Sequence, residues 1–321
     1  MDLEQQTRIE CFSNYVCKSD LGLEIGPSYR PTFSKSDKWN VVTLDHADRQ
    51  NLVEKYSNLS VPIEKLNEIE EVDVVWDGSP YKELLSSYGL FDYVVAAHVI
   101  EHAVDLIGFF HDLSSILKDD GYIFLAVPDK NATFDFYRPL STIGDVIACR
   151  INPSIYDVKA HLDEDYMRSE LNGAIAWNRD ASLQSLNSGN FPIPATPQSQ
   201  VIESMKGYLG GAQTVGYRDA HRWVFTPENL TGLIRILRAA NLIEIDVCKV
   251  EKTNYYEFLM VLKKTKKQVD LTSEFDTRMD YLMESVPYFS GEKDNNFEIT
   301  HTLSFSFMRL YKKFLKTLLK K

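Results

Sequence analysis

Leu21-Gly22-Leu23-Glu24-Ile25-Gly26-Pro27-Ser28-Tyr29 is an apolar run that stops in an acidic residue and a glycine turn. Glycine at such a point lets the chain leave a strand sharply, so that backbone N–H groups beyond it can face a ligand. A second apolar run, Val41–Leu44, ends in Asp45, about twenty residues on, where a carboxylate can accept both hydroxyl hydrogens of a ribose. Asp77-Gly78 follows a third run and is placed to take a hydrogen bond from an adenine amino group, with the glycine letting the ring approach the backbone. Together these describe a site for a nucleotide-like cofactor.

The strands around that site follow a rhythm. Short apolar runs recur at Leu21–Ile25, Val41–Leu44, Val72–Trp76, Phe91–Ala97 and Tyr122–Val127, each followed by polar or helix-compatible sequence. That is the pattern of βαβ units and a mainly parallel sheet. The unbroken apolarity of Tyr93-Val94-Val95-Ala96-Ala97 suits a central strand covered on both faces. Leu106, Phe109, Phe110, Leu113 and Leu117 repeat at helical spacing before Asp119-Asp120-Gly121, which predicts one crossover helix stopped there. A further helix is expected around residues 4–17, and another from Thr226-Pro227, a start of the N-cap-plus-N1 type. Ile243–Val250 and Tyr255–Lys263, joined by Glu251-Lys252-Thr253-Asn254, predict an antiparallel hairpin that completes seven strands.

The pattern breaks for roughly ninety residues after Pro128-Asp129-Lys130. Residues 138–175 read as helical, and 178–218, rich in Asn, Ser, Gly, Pro and Gln, read as a long loop covering a substrate. The expected organisation is a Rossmann-like core of residues 1–130 and 222–264, an inserted cap of residues 131–221, and a C-terminal extension of residues 265–321.

Composition narrows the class. A chain of 321 residues with 44% hydrophobic content can bury a core without disulfides or metals. Cys11, Cys17, Cys149 and Cys248 lack zinc-site spacing and disulfide-scaffold density, which points to reduced thiols and a cytoplasmic location. No signal core or run of 18 apolar residues is found. Net charge is −11, and the six basic residues from Ile299 onward leave −17 on the rest, so nucleic acid is not an expected partner.

Leu23-Glu24-Ile25-Gly26, Thr43-Leu44-Asp45, Val75-Trp76-Asp77-Gly78 and the stretch from Phe91 to Ala97 followed by His98-Val99-Ile100-Glu101-His102 resemble class I S-adenosylmethionine-dependent methyltransferases over residues 20–130 and 222–263. The resemblance implies S-adenosylmethionine as cofactor. It also implies that Glu24, Gly26, Pro27 and Ser28 surround the methionine moiety, Asp45 holds the ribose, Asp77 and Gly78 meet the adenine, and His98 lines the cofactor's side. The chain departs from the family where Gly26-Pro27-Ser28 replaces the expected Gly-x-Gly.

A hydroxyl acceptor also needs a base near the carboxyl ends of the strands. Asp129, His161 and His221 are the leading candidates, with Asp135, Asp163 and Asp219 close in sequence. Asp129 with Asp163 or Asp219 can also offer oxygen ligands to a divalent ion, but no dense ligand motif occurs and no metal is assigned. Val127-Pro128-Asp129-Lys130, residues 133–139 and residues 219–227 are similar to a bacterial subgroup tied to surface-polysaccharide gene clusters, which implies a sugar or glycan acceptor, free or lipid-linked. Tyr137, Arg138, Trp177 and Trp223 suit sugar stacking and hydroxyl bonding as well as core packing.

Phe307, Met308, Tyr311, Phe314, Leu315 and Leu318 share one helical face opposite Arg309, Lys312, Lys313, Lys316 and Lys320. Such a helix can lie on an anionic membrane surface at the inner face of the membrane, pack on the enzyme, or join a second copy in a homo-oligomer. The rival functional readings are methyl transfer to a small metabolite or lipid headgroup, and a catalytically silent cofactor-binding interaction protein.

Overall fold

The computed structural model describes residues 3–59, 61–210 and 219–266. Strands are β1 Gly22–Ile25, β2 Val41–Asp45, β3 Val74–Val75, β4 Phe91–Ala97, β5 Leu117–Pro128, β6 Ser169–Glu170, β7 Ile193–Pro194, β8 Ile245–Lys252 and β9 Glu257–Lys264. Helices are α1 Leu3–Phe12, α2 Arg49–Asn58, α3 Ile63–Leu66, α4 Tyr81–Leu84, α5 Leu106–Ile116, α6 Ile143–Ile151, α7 Pro153–Met167, α8 Arg179–Ser188, α9 Gln198–Leu209 and α10 Pro227–Ala239.

Seven strands form one sheet in the order β3-β2-β1-β4-β5-β9-β8, and β6 pairs separately with β7. The first five run parallel, whereas β9 is antiparallel to both β5 and β8. This is the Rossmann-like sheet with an antiparallel closing hairpin that the apolar rhythm predicts.

Two layers cover it because the strand period is two and both faces are apolar. Val94 and Ala96 point into a core built with Leu106, Phe110 and Leu113 of α5 and Leu230, Leu233 and Leu237 of α10. Tyr93 and Val95 point the other way, onto Phe12 of α1, Phe33, Phe124 and Leu259. Helix α10 starts as its sequence predicts, with Thr226 Oγ1 accepting from the Asn229 N–H at 3.3 Å and Pro227 at N1.

Several local expectations are corrected. The crossover helix ends at Ile116, and β5 begins at Leu117, so Asp119-Asp120-Gly121 is a kink inside the strand pair: Asp120 has φ +64°, and the register shifts between Phe91 and Tyr93. The stretch read as a long loop contains α8 and α9. Helix α8 carries its own punctuation, since Asn178 accepts from the Ala181 N–H at 2.6 Å and Gly189 closes it with φ +73°. Residues 211–218 and the C-terminal extension from 267, with its basic amphipathic stretch, lie outside the described residues.

Gly22 is required in β1 by close approach. A Cβ there would stand 2.0 Å from Tyr93 Cζ, and Tyr93 cannot swing away because Phe33 and Phe124 pack around its ring at 5.4 and 5.9 Å between centroids. Gly22→Ala is therefore expected to cost about 1–3 kcal/mol, read as a fall of several degrees in Tm by thermal unfolding.

Candidate active site

The strand order sets the residues after β3, β2, β1, β4 and β5 along one edge. Ile25 pairs with Leu44 on one side and Ala96 on the other, so Gly26, Asp45 and His98 leave adjacent strands at their carboxyl ends. Asp77 lies beyond β3 at one end of this row and Asp129 beyond β5 at the other. Ligands of open α/β sheets bind at this edge, where the chain winding reverses between β1 and β4.

Three residues here have left-handed backbone: Gly26 at φ +63°, Ser28 at +52° and His98 at +54°. For the serine and histidine this costs about 1–2 kcal/mol each, which surrounding contacts must offset. The His98 N–H donates to Ala126 O at 2.9 Å, and the Gly26 N–H donates to Leu44 O at 2.8 Å. A Cβ on Gly26 would meet Val99 Cγ2 at 3.5 Å, an ordinary van der Waals contact, so it is the positive φ that calls for glycine there.

Glu24 has a different task from the one expected of it. Its buried carboxylate accepts from the Thr32 and Phe33 N–H groups at 2.6 and 3.0 Å, so it draws the loop of Pro27 and Ser28 into shape and does not face outward. Burial pushes Glu24 up to about 7, against the pull of those N–H donors. Asp45 is buried at the tip of β2, with Oδ1 held by the His46 N–H at 2.7 Å and ring Nδ1 at 2.6 Å. Asp77 is exposed, its Oδ1 accepting from the Ser79 N–H at 2.9 Å, beside Gly78 at φ +92°.

His98 belongs to a buried ionic chain. Its Nε2 lies 2.8 Å from Glu257 Oε2, and Glu257 also takes the guanidinium of Arg8, which in turn holds Glu4 at 2.9 Å. Burial would lower His98, but Glu101 and Glu257 overcome it and raise the imidazole to about 9. Burial would raise Glu257, but the His98 hydrogen bond and Arg8 bring it down to about 2.

The base candidates separate. Asp129 is buried, accepts from the Asn131 N–H at 3.0 Å and is paired with Arg179, which commits its carboxylate to structure. His161 lies on α7 with Nδ1 2.7 Å from the Tyr208 hydroxyl of α9. His221 has its Nδ1 2.5 Å from Asp135 Oδ2, and its ring meets that of His102 edge-on at 5.1 Å. Burial would raise Asp135, yet His221 and Arg138 hold it down at about 2. Burial would lower His221, yet Asp135 leads the charges that raise it. Glu101, on the turn after β4, completes this group: its backbone carbonyl accepts from the Arg222 and Trp223 N–H groups at 2.8 and 3.0 Å and so ties the His221 segment to the sheet edge.

Asp129, Asp163 and Asp219 do not form the oxygen site considered from sequence, because they pair with Arg179, Lys159 and His102 respectively. Trp177, Trp223 and Arg138 are buried, and only Tyr137 of the four residues proposed to meet a sugar is largely exposed. Glu101 and His102 lie in the His98–His102 stretch, where sequence alone assigns a role only to His98. Arg8 and Glu257 carry no local signal in the sequence.

Residues 23–186, just over half the chain, match the family described as "Methyltransferase domain". The chain belongs to this methyltransferase family. It is an S-adenosylmethionine-dependent methyltransferase. Among solved structures it is similar to the glycopeptide N-methyltransferase MtfA complexed with sinefungin, at 12% identity over 81% of this chain and 93% of that one, TM-score 0.37. A SAM-dependent methyltransferase from Aquifex aeolicus shares 9% identity over 82% and 94%, TM-score 0.38. Magnesium protoporphyrin IX methyltransferase from Synechocystis PCC 6803 with bound SAH shares 12% over 82% and 84%, TM-score 0.37. Likeness at that level transfers no substrate and no residue role. Comparison with curated proteins finds no match.

At the methyltransferase's edge, the chemistry of the donor set suits its cofactor in one respect: the Asp45 carboxylate can accept from hydroxyl groups. No helix among the described residues is long and apolar enough to cross a membrane.

Glu257, with its carboxyl held near 2 in the folded protein against 4.5 ordinarily, contributes stability that is complete above about pH 4.5 and disappears as pH falls through about 2. Urea unfolding of Glu257→Gln against wild type is expected to show a difference of about 3–5 kcal/mol near pH 6 that shrinks steadily below pH 4.5.

Proposed function

We propose that this methyltransferase transfers a methyl group to a hydroxyl oxygen of a sugar or glycan. The observation that carries the reading is the Asp135–His221 pair: a carboxylate 2.5 Å from Nδ1 fixes the imidazole with its proton on that side and leaves Nε2 as the proton acceptor. An acceptor hydroxyl must lose a proton as it is methylated, so a site built around an oriented imidazole suits oxygen. When bound, S-adenosylmethionine supplies an electrophilic methyl carried on sulfur.

The chain's own residues then divide the work. Gly26, Pro27 and Ser28 bend around the methionine portion, Asp45 accepts from the ribose hydroxyls, Asp77 and Gly78 border the adenine, and His98 closes the side. Glu24 acts behind this layer, through the loop it pins. His221 is the base, with Asp129 and His161 left to structural hydrogen bonding. The similarity of residues 127–130, 133–139 and 219–227 to the polysaccharide-associated subgroup supports a sugar over other hydroxyl compounds.

Asp45→Ala is expected to weaken S-adenosylhomocysteine binding about 10–100-fold by isothermal titration, the loss of hydrogen bonds to a charged acceptor. His221→Asn is expected to leave that binding intact and to lower kcat about 10²–10⁴-fold. The acceptor class is read by incubating the enzyme with labelled S-adenosylmethionine and fractionated cell-surface precursors. Label in sugar hydroxyls supports the proposal, and label confined to small metabolites or lipid headgroups overturns it.

A further inference from the structure

The carboxylate of Glu101 is almost completely buried, yet neither of its oxygens makes a hydrogen bond among the described residues. Its nearest neighbours are imidazoles: His98 Nδ1 at 3.4 Å, out of hydrogen-bond alignment, and His102 Nε2 at 3.8 Å. The His98 imidazolium gives this carboxylate a positive charge on one side, but neither oxygen has an aligned donor, and a buried carboxylate in that condition is costly unless a further partner completes it.

Two histidines are oriented to bring one. His102 Nδ1 faces two acceptors, Ala220 O at 3.1 Å and Asp219 Oδ1 at 3.3 Å, which places its proton there and the lone pair on Nε2, beside Glu101. His221 repeats the arrangement, with Nδ1 bound to Asp135 and Nε2 carrying the lone pair. Imidazoles that ligate metals are held this way, the outer nitrogen donating to a carboxylate or a carbonyl. One ligand atom from each of Glu101, His102 and His221 can be chosen so that all three lie within 4.8 Å of one another. Neighbouring ligands on a tetrahedral ion with bonds of about 2 Å stand about 3.3 Å apart, a closure within reach of side-chain rotation.

In a second cluster, Glu4, His98 and Glu257 also bring ligand atoms within 4.8 Å of one another, but the guanidinium of Arg8 already occupies it, bonded to both carboxylates. No lysine or arginine reaches Glu101 among the described residues.

We propose that Glu101, His102 and His221 bind a divalent first-row transition-metal ion. Two imidazoles and one carboxylate suit Mn²⁺, Fe²⁺ or Zn²⁺ and leave coordination positions open. This rests on the reading of the cluster as the acceptor site, and it changes what His221 does there: Nε2 would ligate the ion, and the ion, by holding the acceptor oxygen, would lower the pKa of its proton, which would leave to solvent as the O–CH3 bond forms and the sulfonium S–CH3 bond breaks. Asp135 then acts as a positioning residue for a ligand.

The test uses the full chain, stripped with chelator and dialysed against Mn²⁺ or Zn²⁺. One ion per chain is expected, with nitrogen couplings from two imidazoles in the pulsed electron paramagnetic resonance spectrum of the Mn²⁺ form. His102→Asn and Glu101→Gln should abolish it, and Asp135→Asn should weaken it about 10–100-fold, each variant being checked for an unchanged unfolding transition. If Glu101→Gln does not fold, the spectrum of the wild-type protein decides. No bound ion, no imidazole coupling, or an ion lost in His98→Asn but kept in His102→Asn would overturn the site. An absent ion with transfer that still depends on His221 defeats the ion alone, whereas a bound ion with no hydroxyl product upholds the ion and defeats the acceptor reading.

Discussion

Glu257 opens β9 with its carboxylate between two cations from distant parts of the chain, Arg8 of α1 and His98 of the turn after β4. Arg8 and Glu257 are buried and His98 is partly so, and removing one member of such an arrangement leaves a buried charge uncompensated, at about 3–5 kcal/mol. The site depends on this contact because it ties the N-terminal helix, the antiparallel hairpin and the central strand together at the edge where the ligand must bind. It also holds His98 in a left-handed conformation that the residue would not keep on its own.

From that anchor the geometry propagates across one turn. His98 leads through Val99 and Ile100 to Glu101, whose carbonyl captures the segment carrying His221. The returning chain is fixed further by Phe225, which bridges Asp129 in parallel, and by Ser141, whose backbone and side chain meet Val224. Between β5 and α10 the chain also closes on itself, since Asp135 and Glu164 both meet His221, at the ring and at the backbone N–H respectively. Charge, burial and hydrogen bonding concentrate where the sheet is least regular, which is where chemistry needs side chains held against their ordinary preferences.

Much of the fold was legible because its signals are local. Strands β1, β2 and β4 stand close to where their apolar runs place them, β5 contains its run but starts five residues earlier, and the short connection between the last two strands forces an antiparallel pair. Helices α8 and α9 were not legible from hydrophobic pattern, since their sequences are polar and only short stretches are buried. Their caps, Asn178 and Gly189 for α8, were the readable part. The kink at Asp120 was read as a helix stop because both features draw on the same turn-forming residues.

By itself the sequence determined the parallel sheet, its closing hairpin and the row of Gly26, Asp45, Asp77 and His98, because strand period, glycine turns and strand-end acids are properties of neighbouring residues. Tertiary structure alone decided which charges meet. Arg8 and Glu257 are 249 positions apart, and Asp135 and His221 are 86 apart. Nothing in the local spacing of either pair specifies a contact that only the packed sheet edge creates, nor can it say that Asp129 is spoken for by Arg179 while Glu101 is left with imidazoles alone. Burial turns those pairings from weak surface contacts into forces that set protonation and position, and burial is a property of the fold as a whole.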